Sequence, residues 1–512
     1  MAFLDTPWLS LLLISWACLG LALLMRKYTW RDNHLPLPPG PPGEFLLGHL
    51  RKIPKENTAA TYAQWSKKYK SDVIHVKSLG QSIIVLNSLR AAKELLDKKG
   101  AIYSDRPRFT LFEEMGWKKT LTFLPYGECW QMHRKMLQTD LSNTNVRQWQ
   151  PFQLQECRRT INNMLCNSDW ENSLRRFTVA IVLKVSYGTD VFDENDPYIK
   201  IANDAMYAMG NGGAPANSIV EVFPLARYLP NWLLRDWPLK FARDWKWAIQ
   251  TLHEVPFSCA YKDVVSCDNV KFTADRMLTR TEEQCQNWTL EDIKGAAGAV
   301  FIAGADTTWA TCVIFILNMV LNPEVQRKAH EQLDLVVGRD RLPNFGDRPN
   351  LPYIEWIVQE VYRWSPLAPL GIPHKSVKND VYNGMHIPKA MGRDERVYHD
   401  PASFQPERYR PIEEGGPGEP FPVAHFGFGR RICVGRFLAD NSVWIMICTM
   451  LATLRFQKKT DADGNVMPTR VEFTNGGTCH PMHFECTIQP RTNQTLALVS
   501  AAPNEFGQRQ VP

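Results

Sequence analysis

The sequence predicts a mainly α fold with a small β-rich region, carried on one amino-terminal transmembrane helix. Three observations lead there. Beyond residue 43 the apolar residues recur mostly at helical spacing, and alternation of the β kind is confined to short runs. Of 512 residues, 44% are hydrophobic and 22% charged, a globular composition that excludes a disordered chain. An uncharged apolar run stands at the amino terminus. The 30 Gly and 35 Pro follow no period, which removes collagen-like architectures. The formal charge of +6 is mildly basic for this length. It suits an anionic membrane surface and gives no reason to expect nucleic acid as a partner.

The first element is the apolar run at 7–25, PWLSLLLISWACLGLALLM. At 1.5 Å per residue it spans ~28 Å, against a bilayer core of ~30 Å. Asp5 precedes it, and Arg26, Lys27 and Arg31 follow. The positive-inside rule therefore puts residues 1–6 in the lumen and the body in the cytosol. A cleaved signal peptide is the competing reading. It fits less well, because the start of the run lacks Lys and Arg and no small-residue cleavage site follows. Residues 26–43 form a basic flank and the hinge LPLPPGPPG, which proline holds extended. Residues 44–490 are expected to form one body, with a loose polar tail at 491–512.

Within the body, β-like runs occur at 73–76, 82–86, 469–473 and 483–488. The longest helix is expected over 289–321. Thr289 with Asp292 resembles a capping box, and Pro323 marks the end. Its stretch 295–320 is apolar on nearly every face, which calls for burial. It carries Asp306 in its middle and has no basic flank, so it is not read as a second span. Further helices are expected at 324–337, 352–364 and 437–454. Twelve Cys are scattered with no CxxC pair, so a zinc knuckle or dithiol redox site is not expected. Most read as small buried hydrophobes in a reducing compartment.

The most informative stretch is FGFGRRICVGR, 426–436. Cys433 follows two glycines and two arginines and opens a helical pattern. A thiolate there gains from cationic neighbours and from the helix start. Gly427 and Gly429 permit backbone angles closed to other residues, Gly435 leaves room for a flat group, and Arg431 can reach a carboxylate. Phe426, Gly429, Arg431, Cys433 and Gly435 match the haem-binding signature of the cytochrome P450 family, the haem-thiolate monooxygenases. Four more motifs resemble that family in order along the chain: Trp130 with Arg134, Ala303-Gly304-Ala305-Asp306-Thr307-Thr308, Glu360 with Arg363, and Pro406-Glu407-Arg408-Tyr409. The anchor and hinge resemble those of microsomal members, and the chain is most similar to fungal enzymes of specialised metabolism and xenobiotic oxidation.

This resemblance implies a cytochrome P450 fold, an α-helical prism with a small β-rich region, holding haem b (heme b, iron protoporphyrin IX). Cys433 would be the axial thiolate and metal ligand, shielded by Phe426. Trp130, Arg134, His374 and Arg431 would hold the propionates, and Gly429 and Gly435 would shape the loop. Asp306 would relay protons and Thr307 would bond the distal oxygen, with Gly304 making room for it. Glu360, Arg363 and Arg408 would form a buried structural network. The net reaction would be R–H + O2 + 2e⁻ + 2H⁺ → R–OH + H2O. No flavin or nicotinamide motif is present. Electrons would therefore come from NADPH-cytochrome P450 reductase, with cytochrome b5 as an optional second donor, and Lys135, Arg430 and Arg436 would belong to the docking face. The endoplasmic reticulum membrane is the implied location, single-pass. The substrate would be a lipophilic small molecule (terpenoid, polycyclic or steroid-like), held by segments 106–123, 297–308, 367–372 and 475–477.

The pattern departs in one place. Ile387-Pro388-Lys389 is followed at once by Ala390-Met391-Gly392-Arg393-Asp394, and a strand expected between them is missing. The expected consequence is weak haem retention. Two rivals stand: a haem-thiolate isomerase, dehydratase or peroxide-dependent enzyme, against which Asp306 and Thr307 argue, and, made possible by the missing strand, an inactive haem-binding protein. Two sequons, at Asn287 and Asn493, are expected to stay unused in a cytosolic body.

Overall fold

The computed structural model describes residues 15, 20, 35–45, 47–54, 57–78, 81–166, 169–212, 218–234, 236–266, 273–283, 288–386, 400–474 and 478–500. The expected span at 7–25 therefore lies outside the described residues except for Ser15 and Gly20. So do residues 387–399, where the sequence suggests that a strand is missing, segment 475–477 and the sequon Asn287. The principal helices are α1 (Thr58–Tyr69), α2 (Glu128–Asp140), α3 (Gln150–Cys166), α4 (Trp170–Tyr187), α5 (Pro197–Asn211), α6 (Lys246–Ser266), α7 (Thr273–Glu283), α8 (Leu290–Leu321), α9 (Pro323–Val336), α10 (Pro352–Trp364), α11 (Arg436–Thr453) and α12 (Asn493–Ser500).

Helix α8 organises the fold. Its capping box forms as the sequence predicts: the Thr289 hydroxyl accepts from Asp292 N–H, and the Asp292 carboxylate accepts from Thr289 N–H. Among the described residues it is the one helix long and apolar enough to cross a membrane, yet 83% of its most apolar window is buried in the protein. It packs on α4, α6 and α11, which are themselves apolar on most of their length. Gly304 makes the α8–α4 contact possible. A Cβ there would overlap Val182 Cγ1. The missing Cβ at Gly304 thus serves the packing of the two helices.

Three small antiparallel pairs make up the β region. β1 (Val73–Ser78) pairs with β2 (Gln81–Leu86), Val73 opposite Leu86, as expected. β3 (Val381–Tyr382) pairs with β4 (Met385–His386). β5 (Leu454–Lys458) pairs with β6 (Cys486–Pro490). The expected strand at 469–473 reduces to a single bridge from Phe473 to Pro481. β5 was not legible, because its alternating Leu454 and Phe456 follow directly on an apolar helix and read as its continuation. The tail also differs from expectation. Residues 493–500 form α12, which packs on α3 and α11 and buries Val499.

Candidate active site

The loop before α11 is tied back on itself. Cys433 N–H donates to the Phe426 carbonyl at 2.8 Å, and Gly427 N–H to Ala424 at 3.0 Å. Gly427 and Gly429 hold φ of +80° and +54°, the left-handed region that favours glycine. At Gly429 a Cβ would also overlap the Leu96 carbonyl, so the tight turn and the close approach both require glycine. Phe426 packs against Tyr362, with ring centroids 5.6 Å apart. A Cβ at Gly435 would meet open space. The Cys433 side chain is accessible although protein surrounds it. Both facts hold for a side chain that lines an internal slot. Burial pushes its thiol up, while the Gly435 N–H and the charges of Arg134 and Arg436 oppose that shift.

Three arginines crowd beside this loop. Arg431 donates to the carbonyls of Ser104 (2.8 Å) and Leu124 (2.9 Å), and its guanidinium lies 4.4 Å over the ring of the buried Trp130. Its Nη1 is buried with no hydrogen-bond partner among the described residues. Arg134, one turn along α2 from Trp130, donates to the Ile432 carbonyl. Arg106 donates to Ile372 (2.6 Å) and Pro373 (2.7 Å). His374 follows, its Nδ1 2.7 Å from the Tyr103 carbonyl. Burial, and behind it the Arg431 charge, pushes Arg106 well below its ordinary value. Burial likewise brings Arg431 down to about 10, with Arg134 adding to it. Cations buried this close together, one with an idle donor, form a site for carboxylates. These donors fit the two propionates of a haem, and Cys433 fits as the ligand to its iron. Arg106 was missed as a site residue. It reads in sequence as one more pocket residue, and only the fold sets it beside Arg431.

Helix α8 is buried from Gly295 to Val320 except near its middle, where Ala303 is exposed and Gly304 and Thr307 are half-buried. Thr307 Oγ1 donates to the Ala303 carbonyl at 2.8 Å, the i−4 bond common for threonine in helices. Asp306 is buried and does not stand alone. Arg175 Nη1 lies 3.3 Å from Oδ1, and the Thr478 hydroxyl donates to Oδ2 at 3.2 Å. Arg175 is itself stacked 3.6 Å over Trp309. Arg175 and Thr478 were both missed. The available signal was an Arg175-Arg176 pair at the head of an apolar helix.

Glu360, Arg363 and Arg408 come together in one buried network. Arg363 makes a two-pronged contact with Glu360 (2.7 and 2.8 Å), and Arg408 Nε donates to Glu360 at 3.1 Å. Tyr409 donates to the same carboxylate at 3.0 Å, and Glu419 accepts from Arg408 at 2.8 Å. All three principal members are buried. Of the expected docking cations, Lys135 and Arg430 are exposed and Arg436 is half-buried, lying 4.2 Å over Phe437. Asn493 is exposed at the start of α12.

The family model described as Cytochrome P450 matches residues 38–476 of the chain. Among curated relatives, Cytochrome P450 monooxygenase 136 of Postia placenta is 36% identical, with 97% of this chain and 96% of that protein covered. Cytochrome P450 monooxygenase ple1 of Rhodocybe pseudopiperita is 34% identical, with 96% of each covered. Tryptamine 4-monooxygenase of Psilocybe cyanescens is 33% identical, with 91% and 95% covered.

Proposed function

The chain belongs to the cytochrome P450 family and is a haem-thiolate monooxygenase; on that premise we propose how its residues share the work. Cys433 ligates the haem iron, and Phe426 covers the sulfur on the side of Tyr362. Bound in this way, the haem supplies oxygen activation, which a thiolate ligand favours by pushing electron density towards the iron. Arg106, Arg134, Arg431 and Trp130 take its propionates, with His374 at the edge of that group. The observation that carries this assignment is the buried, unpartnered Nη1 of Arg431 in a cluster of cations beside an internally exposed cysteine.

Asp306 moves protons toward the oxygen side of the slot. Its carboxylate is held between Arg175 and Thr478, and a swing away from Arg175 would carry a proton inward. Thr307, once its hydroxyl releases the Ala303 carbonyl, would offer a hydrogen bond on that side of the helix. The substrate is a lipophilic small molecule. Support comes from the aromatic group of Phe109, Phe112 and Phe123, the last two stacked at 4.7 Å. Electrons come from a membrane-bound NADPH-cytochrome P450 reductase, for which Lys135 and Arg430 offer exposed cations. Membrane attachment by 7–25, in the endoplasmic reticulum, is supported by a second apolar surface: Phe223, Leu225, Tyr228, Trp232 and Trp237 are all exposed.

The test is the reduced carbon-monoxide difference spectrum. The wild-type protein gives the thiolate band and Cys433→Ser does not. A Cys433→Ser protein with an unchanged spectrum would remove the assignment. Arg431→Ala should keep the band in freshly loaded protein but lose haem faster to an apomyoglobin trap. Turnover with reductase and NADPH over a panel of lipophilic compounds then tests the substrate class.

A further inference from the structure

Helix α2 presents two i, i+4 pairs on adjoining faces. Trp130 and Arg134 belong to the cation cluster beside the cysteine loop. Cys129 and His133 look the other way, toward the start of α8. There they meet Asp292, the capping residue of α8. His133 Nε2 is 3.2 Å from Asp292 Oδ1, and Cys129 Sγ is 3.9 Å from the same oxygen. The three ligand atoms lie within 4.8 Å of one another. None of these residues enters the reaction described above.

We propose that Cys129, His133 and Asp292 form a second metal site, for a divalent ion of the zinc type, completed by water. Four considerations support it. Residues four apart on a helix share a face, so α2 supplies two ligands with no backbone change. Atoms bound to tetrahedral zinc at about 2.0–2.3 Å lie about 3.3–3.8 Å apart, so the observed cluster needs only small side-chain rotations to close. The mix of one sulfur, one nitrogen and one carboxylate oxygen suits zinc. Finally, His133 is wholly buried and its Nδ1 has no hydrogen-bond partner among the described residues. Its Nε2–H donates to Asp292, so ligation through Nε2 needs that proton moved to the unpartnered Nδ1, which has no competing bond to break.

A cation already sits there. Lys119 Nζ is 2.5 Å from Asp292 Oδ1. The Lys119 side chain is 42% exposed, so it can turn into water when a metal takes that oxygen. Binding forms one Zn–S, one Zn–N and one Zn–O bond. The Cys129 thiol proton goes to solvent, the His133 proton moves from Nε2 to Nδ1, the hydrated ion releases the waters that the three ligands replace, the lysine ammonium exchanges its carboxylate for water, and no electron moves. The metal would tie α2 to the start of α8, on the flank of the arginine cluster.

The experiment uses the full-length, haem-loaded protein, stripped with a chelator and then equilibrated with zinc chloride. Bound zinc is counted by mass spectrometry after gel filtration. Wild-type protein should hold one zinc per chain. Cys129→Ser should weaken binding about tenfold or more, and Lys119→Ala should tighten it by a similar factor, because the competing cation is gone. Zinc should also slow alkylation of Cys129 in peptide mapping, while the exposed Cys166 and Cys259 react as before. An unchanged Soret band certifies each variant as folded. Equal zinc in wild type and Cys129→Ser, weaker binding in Lys119→Ala, or no protection of Cys129 would each overturn the proposal. These readouts do not depend on turnover, so they are separable from the assignment of Cys433.

Discussion

At Gly304 the absence of a single methyl group decides how two helices meet. A Cβ there would overlap Val182 Cγ1, so Gly304→Ala should lower stability by about 1–3 kcal/mol, measured by urea unfolding. The double variant Gly304→Ala, Val182→Ala should recover most of that loss. Gly435→Ala makes the informative contrast. Its Cβ meets open space in the protein, so haem-free stability should hold while haem loading falls. The motif around Gly304 does not reveal the contact with Val182, because sequence order does not say which side of a helix faces which neighbour. Cys433, Gly427 and Gly429 were legible for the opposite reason. The positive φ values of the two glycines and the tight turn before Cys433 are properties of the local chain.

Among the elements, the capping box of α8 and the limits of α10 followed from the sequence, since Thr289, Asp292, Pro352 and Trp364 act on their own neighbours. The Glu360–Arg363–Arg408 network joins α10 to the turn Pro406–Tyr409. Removing the one carboxylate leaves two buried guanidiniums facing each other. Glu360→Gln should therefore cost about 3–5 kcal/mol and reduce the yield of haem-loaded protein. A second element-scale effect depends on pH. Glu221 accepts from the N–H groups of Thr110 (3.2 Å) and Leu111 (2.9 Å), linking two segments that flank the aromatic group. Burial raises its pKa from 4.5 to about 7. A carboxyl raised on folding contributes its full stability below 4.5 and loses it as pH rises through about 7. The thermal midpoint of the wild type should therefore fall between pH 5 and 8 more steeply than that of Glu221→Gln. Parallel profiles for the two proteins would contradict this.

For the whole molecule, α8 is the helix against which α4, α6 and α11 pack, and its middle carries the buried Asp306. The expected loss of a strand after Lys389 bears on how firmly the slot at Cys433 grips its cofactor. Haem measured against protein by pyridine haemochromogen should come out below one per chain, and full occupancy would remove the concern. Membrane attachment is a property of the same scale. Detergent-free fractionation should leave the full chain with the membrane. A chain lacking 1–34 should keep partial affinity for anionic vesicles through Phe223, Trp232 and Trp237, and Trp232→Ser with Trp237→Ser should reduce it.

The sequence by itself determined the helical class, the long capped helix, the cysteine loop and the composition of the buried carboxylate network, because each is written in residues close together or in a motif of fixed spacing. Only the tertiary structure decided that Arg106 stands beside Arg431, that Arg175 and Thr478 hold Asp306, and that Cys129 and His133 meet Asp292. These partners lie more than a hundred residues apart in the chain. Their meeting depends on how helices pack, and packing is set by many apolar contacts at once rather than by any spacing a single segment can carry.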